Sequence, residues 1–61
     1  MDRLEKVIKT ANKKGYEIAI NYITNKGWTI TIWPPVGAKE QLDPASSIKD
    51  SIEILARRVG L

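Results

Sequence analysis

The sequence predicts an α+β domain of two layers, in the order helix, strand, strand, helix. Apolar residues recur with helical spacing near both ends of the chain, which indicates two amphipathic helices. Between them, GYEIAINYITNKGWTITIWPP (residues 15–35) alternates apolar and polar residues on both sides of a short turn, which indicates an antiparallel β-hairpin. We predict that both helices lie on one face of the hairpin and that dimerisation extends its sheet. A length of 61 residues predicts one domain, residues 1–61.

The first helix is predicted from about residue 2 to residue 14. Its apolar stripe follows the i, i+3, i+4, i+7 spacing and consists of Leu4, Val7, Ile8 and Ala11. Asp2 is suited to the N-cap position, because its carboxylate can accept a hydrogen bond from a backbone N–H of the first turn.

The register of the hairpin follows from where its large side chains fall. A two-residue turn would divide them between the two faces of the sheet. A three-residue turn of Asn25, Lys26 and Gly27 pairs Tyr22 with Ile30 and Ile20 with Ile32. This second register is predicted because it places all the large residues on one face, where the helices can bury them. They are Ile18, Ile20, Tyr22, Trp28, Ile30 and Ile32.

Pro34 and Pro35 are predicted to end the second strand, because proline has no N–H to donate to a sheet. A loop follows, and the second helix is predicted after it. Asp43 is interpreted as its N-cap and Pro44 as its first residue, where a missing N–H costs nothing. Glu53 and Arg57 are expected to form an i, i+4 ion pair on its surface. The apolar stripe of this helix consists of Ile48, Ile52, Leu55, Ala56 and Val59.

The second face of the hairpin has no predicted cover from this chain, and we expect a homodimer to supply it. Small domains often need a disulfide, a metal or a partner subunit, and the sequence has no Cys and no His. Two copies could join at a sheet edge or stack by their uncovered faces. The alternative is a monomer in which Trp33 packs under the loop 36–42. The face carries Glu17, Ala19, Asn21, Ile23, Thr29, Thr31 and Trp33.

Composition argues against an enzyme. Without His or Cys, the most common general base and the usual transition-metal ligands are missing, so we expect no catalytic residue, no metal and no cofactor. The nearby carboxylates Glu40, Asp43, Asp50 and Glu53 could hold magnesium but are interpreted as caps and ion-pairing groups. Charge throughout the first fourteen residues and the lack of a long apolar run predict no membrane partner and a cytoplasmic protein.

The predicted topology resembles that of two groups of small RNA-binding proteins, the double-stranded-RNA-binding domains and the HicA-like toxins. Gly15 ahead of a strand, and a last helix that ends near residues 59–61, carry the resemblance. The toxins are recognised by a catalytic His in the hairpin, and this chain has no His. The double-stranded-RNA-binding domains have a third strand, and a basic cluster where this chain has Asp43, Ser46 and Ser47. The chain is therefore assigned to no family.

Two functions are compatible with this sequence. The first is a small non-enzymatic protein-interaction factor, such as a phage or mobile-element inhibitor or regulator, with a protein partner of unknown identity. Its interaction surface is predicted to be apolar and basic, with Ile54 exposed because it falls far from the apolar stripe of its helix. The residues of that surface are Trp33, Ile23, Thr31, Ile54 and Arg58.

The alternative is a module that binds nucleic acid or a nucleotide. The net charge of +3 comes from the first fifteen residues, in which five basic residues face two acidic ones. Lysines on the polar side of the first helix could contact phosphates, and an exposed Trp33 could stack on a base. The candidate residues for an anionic ligand are Lys6, Lys9, Lys13 and Arg57.

Overall fold

Five elements follow one another in the computed structural model, which describes residues 2–61. They are α1 (Arg3–Lys13), β1 (Glu17–Ile23), β2 (Gly27–Trp33), β3 (Glu40–Gln41) and α2 (Ile48–Arg58). The strands form one antiparallel sheet in the order β1-β2-β3. The predicted α+β class is confirmed. The strand β3 was not predicted from the sequence. Because β3 pairs with β2, β2 is a central strand, and among residues 2–61 only β1 has a long free edge.

Side chains cap the N-termini of both helices. Asp2 caps α1 by accepting a hydrogen bond from the backbone N–H of Leu4 at 3.2 Å, as predicted. Ser47 caps α2 by accepting from the backbone N–H of Asp50 at 3.1 Å. The prediction that Asp43 caps α2 was wrong.

The second helix starts late because the chain before it is held against β2. The backbone N–H of Leu42 donates to the carbonyl of Ile30, and Ala45 and Trp28 exchange two hydrogen bonds of 2.8 and 2.9 Å. This extended segment satisfies its backbone groups along the sheet, so Pro44 lies in it and not in a helix.

The hairpin register differs from the predicted one by two residues. Ile20 pairs with Ile30 and Tyr22 with Trp28, so the predicted partners of Ile20 and Tyr22 were wrong. The turn closes one residue earlier than expected, at Thr24–Lys26, because Asn25 adopts the left-handed conformation with φ of 69°. A shift of two residues leaves every side chain on its predicted face.

The core lies between the helices and the face of the sheet that carries Ile30 and Ile32. Both side chains are fully buried, and residues from α1 and α2 pack against them, so both helices cover the same face. Tyr22 is on this face too, but it is 62% exposed and forms an edge-to-face pair with Trp28 near the turn. The other buried apolar residues are Val7, Ala11, Leu42, Ile52, Leu55, Ala56 and Val59.

Candidate functional site

The face of the sheet that points away from the helices is called here the open face. The Cα positions span 31 × 30 × 15 Å, and a further packed layer would add roughly 10 Å to the shortest dimension. No helix or strand within residues 2–61 covers this face. Alternation along β1 and β2 and the pairing of Gln41 with Thr31 assign to it Glu17, Ala19, Asn21, Ile23, Thr29, Thr31, Trp33 and Gln41.

Three of the predicted interaction residues lie on the open face. Trp33 is 42% exposed, and Thr31, two residues away on the same strand, is half-buried beside it. Ile23 is half-buried but pairs with Gly27 at the far end of the hairpin. Six residues along a strand separate it from Trp33, or about 20 Å. Thr31 and Trp33 therefore form one local surface, and Ile23 is remote from it.

Thr29 is an exception on the open face because it is almost completely buried, with 1% of its surface exposed. Its Oγ1 has no hydrogen-bond partner among residues 2–61. A buried hydroxyl that makes no hydrogen bond costs about 1–3 kcal/mol. The Thr29 hydroxyl, at the centre of the open face, therefore lowers the free energy of unfolding.

Replacing Thr29 with valine is expected to raise the free energy of unfolding by about 1 kcal/mol, because valine keeps the branched shape and removes the unpaired hydroxyl. Urea denaturation of both proteins measures the difference. Thr31→Val is the matched control, since Thr31 lies on the same strand and face but is only half-buried. A loss of stability in Thr29→Val would show that the hydroxyl is satisfied in solution.

Arg58 and Ile54 do not belong to this surface. Arg58 donates from Nη2 to Glu40 Oε1 at 2.9 Å and from Nη1 to the Tyr16 hydroxyl at 3.4 Å, so it joins α2 to β3 and to the residue before β1. The Glu40 carboxylate, and then Tyr16, raise the pKa of the Arg58 guanidinium. Ile54 is half-buried and packs against the core, so the prediction that it is exposed was wrong.

The ion pair predicted between Glu53 and Arg57 is replaced by one between the two helices. Arg3 donates from Nε and Nη2 to the two carboxylate oxygens of Glu53 at 2.8 and 2.9 Å. This hydrogen bonding is the main cause that lowers the pKa of Glu53 and raises that of Arg3. Arg57 is exposed and contributes only a weaker charge effect on Glu53.

The lysines proposed to bind anions lie on the solvent side of α1. Lys6, Lys9 and Lys13 are all exposed. Lys9 Nζ is 2.8 Å from Glu5 Oε2, which partly neutralises it. Because α1 covers one face of the sheet and Trp33 lies on the other, the lysines and Trp33 are on opposite sides of the molecule. They do not form one site.

A shallow groove of about 340 Å³ separates the start of α1 from the start of α2. Its floor is apolar, and the Arg3–Glu53 ion pair forms part of its rim. The residues that line the groove are Asp2, Arg3, Leu4, Ile48, Lys49, Ile52 and Glu53.

Across residues 2–61, no three carboxylates are grouped closely enough to hold a metal ion. In the same range, no helix is long and apolar enough to cross a membrane.

Comparison with protein-family models, curated proteins and solved structures finds no match to this chain. The third strand removes one difference from the topology of the double-stranded-RNA-binding domains. The difference in chemistry persists, since α2 opens with Ser47, Lys49 and Asp50 in place of a basic cluster.

The position of Gln41 on the open face could not have been predicted, because a two-residue strand has no periodicity to detect.

Proposed function

We propose that this chain is a non-enzymatic protein-binding module whose partner contacts the open face around Trp33 and Thr31. The observation that carries the proposal is a tryptophan 42% exposed on a sheet face without a second layer. Tryptophan adds more binding energy to interfaces than most residues, because it buries a large apolar surface and keeps one polar N–H. The small, half-buried Thr31 beside it leaves room for a partner side chain against the ring.

Two further features support a protein partner over nucleic acid. The exposed lysines and Trp33 lie on opposite sides, so one strand of nucleic acid could not stack on Trp33 and pair with the lysines of α1 together. The open face itself carries one charged residue, Glu17, which is acidic and would repel phosphate. The face is therefore better suited to a protein surface than to a phosphate backbone.

A chain of this size without the usual catalytic groups would act by covering a surface of its partner. We therefore propose an inhibitor or regulator, of the type that phages and mobile elements use. This part of the proposal predicts that phage or mobile-element genes flank its own gene. Housekeeping genes on both sides would contradict it.

Trp33→Ala is expected to weaken partner binding by about 30-fold, the effect of losing a central tryptophan that contributes roughly 2 kcal/mol. The immobilised chain is used to capture partners from lysate of its natural source, and each captured protein is then titrated against purified variants. The double variant Lys6→Ala, Lys13→Ala is the control, because it removes two exposed charges from the opposite side. Unchanged binding by Trp33→Ala, or capture of nucleic acid that only the lysine variant loses, would refute the proposal.

A further inference from the structure

The outer edge of β1 carries backbone N–H and C=O groups that have no hydrogen-bond partner in the part of the chain that the structure describes. The hydrogen bonds of β2 show which residues of β1 these groups belong to. Trp28 directs its backbone N–H and C=O to Ala45, on the β3 side. Alternate residues of a strand direct these groups to opposite sides, so the odd-numbered residues of β2 bond to their odd-numbered partners in β1. The groups of Ile18, Ile20 and Tyr22 therefore point outward, and no hydrogen bond joins them to another part of residues 2–61.

The two edges of the sheet differ in how they are protected. The β3 edge is only two residues long, and its Glu40 is paired with Arg58. Short length and charge are common ways to keep an edge strand from pairing with another chain. The β1 edge is seven residues long and has no charge, proline or glycine between Ile18 and Ile23. It lacks the features that prevent edge-to-edge association.

The apolar side chains of β1 are also less covered than those of β2. Ile30 and Ile32 are fully buried, whereas Ile18 and Ile20 are half-buried and Tyr22 is 62% exposed. All five lie on the helix face of the sheet. Although α1 packs against β1 and α2 against β2, these β1 side chains are only partly covered, so a strip of apolar surface remains along the free edge. Another strand beside β1, with apolar residues on the same face, would bury that strip.

We propose that β1 pairs with β1 of a second copy, antiparallel, about a twofold axis at Ile20. Ile20 then lies opposite its own copy, and Ile18 lies opposite Tyr22 of the partner subunit. Each of the three residue pairs exchanges two hydrogen bonds, which satisfies the outward groups named above. The two sheets become one antiparallel sheet of six strands, with all four helices on the same face. The interface is self-complementary, as a twofold dimer requires.

The charges and the helices are compatible with this arrangement. Glu17 lies opposite Ile23 of the partner subunit, so no like charges face each other across the edge. Arg3 and Lys14 reach α2, by bonds to Glu53 and to the Val59 carbonyl, which places the row 3, 7, 10, 14 of α1 toward α2. The opposite flank, toward the edge of β1, includes the half-buried Ile8. The two copies of Ile8 would approach each other over the joined edge.

The dimer does not depend on the proposed function, but it would give that function a second site. The open faces of both copies form one continuous surface on the side of the sheet without helices. Strand spacing and rise separate the two copies of Trp33 by roughly 25 Å across this surface. A symmetric or extended partner could contact both.

Sedimentation equilibrium over a range of chain concentrations is expected to show a reversible dimer. Tyr22→Lys should weaken it by about tenfold or more, because it places a charge against apolar residues of the partner. Tyr22 is exposed in the single chain, so the helical circular dichroism of this variant should match the parent, while the near-ultraviolet signal changes with the loss of the Tyr22–Trp28 pair. Gln41→Lys is the control, since it adds the same charge to an exposed residue at the other edge. The mass of one chain at every concentration, or equal association of Tyr22→Lys and the parent, would overturn the proposal.

Disulfide crosslinking tests the register, because the chain has no cysteine of its own. Ala19 lies opposite Asn21 of the partner subunit in a pair without hydrogen bonds, with Cα atoms about 4.5 Å apart, a distance that a disulfide can bridge. A mixture of Ala19→Cys and Asn21→Cys chains should therefore form the mixed disulfide under mild oxidation. Each variant alone should crosslink several-fold less, since its cysteines would be offset by two residues along the edge. Equal yields in the mixture and in the single variants would rule out this register.

Discussion

Replacing Gly27 with valine is expected to unfold most of the chain at room temperature. The residue has φ of +104°, a conformation that a β-branched side chain adopts only with strain. A Cβ at this position would overlap the carbonyl oxygen of Ala45. That oxygen accepts the hydrogen bond of Trp28, so it cannot move away without breaking the bridge that holds the segment before α2. Strain and overlap together should cost about 2–6 kcal/mol, comparable to the whole stability of a domain this small.

The two causes can be separated with alanine at two glycines. Gly37 has φ of +107°, nearly that of Gly27, but a Cβ there would meet nothing within 4 Å. Gly37→Ala therefore measures the backbone strain alone, and Gly27→Ala adds the overlap with Ala45. Urea unfolding should show that Gly27→Ala is the less stable of the two. Equal stability would mean that the contact between Gly27 and Ala45 is loose in solution.

The helices and the hairpin could be predicted because each has a repeated pattern. Four apolar residues at helical spacing defined α1, and alternation through Ile18–Ile23 and Trp28–Trp33 defined β1 and β2. The predicted register was wrong by two residues. A shift of two residues leaves every side chain on the same face of the sheet, so the burial of apolar side chains could not distinguish the two registers. The sequence favoured Gly27 as the left-handed residue of the turn, whereas Asn25 also adopts that conformation and closes the turn earlier.

The segment between β2 and α2 could not be predicted from local pattern. Asp43 and Pro44 have the residue types of a helix start, but the pairing of Ala45 with Trp28 keeps them extended. This contact joins residues that are far apart in the sequence, so no periodic pattern of apolar residues could have indicated it. The same limit applies to Arg58 and Glu53, whose partners Glu40 and Arg3 lie on other elements. Trp33 and Thr31 were placed correctly because alternation alone determines which face of β2 they occupy.

Ile52→Ala is expected to lower the free energy of unfolding by about 2–5 kcal/mol, the range for large-to-small changes in a tightly packed core. The Ile52 side chain is 1% exposed and belongs to the cluster with Ile30 and Leu55. Its loss leaves a cavity between α2 and the sheet that neighbouring side chains cannot fill without shifting a whole helix. Because a domain of this size has only roughly 3–5 kcal/mol of core stability, much of the variant should be unfolded.

Ile20→Ala on β1 should cost less than Ile52→Ala, about 1–2 kcal/mol, because Ile20 is only half-buried in the single chain. Urea unfolding at low chain concentration measures this difference in the monomer. At high concentration, the dimer proposed above would bury Ile20 against its copy, so the penalty of Ile20→Ala should grow with concentration while that of Ile52→Ala stays constant. Lys9→Ala, at an exposed position of α1, should change stability by no more than about 0.5 kcal/mol. If Ile20→Ala proved as costly as Ile52→Ala even in dilute solution, the core would be centred between β1 and β2, and the free apolar strip along β1 would not exist.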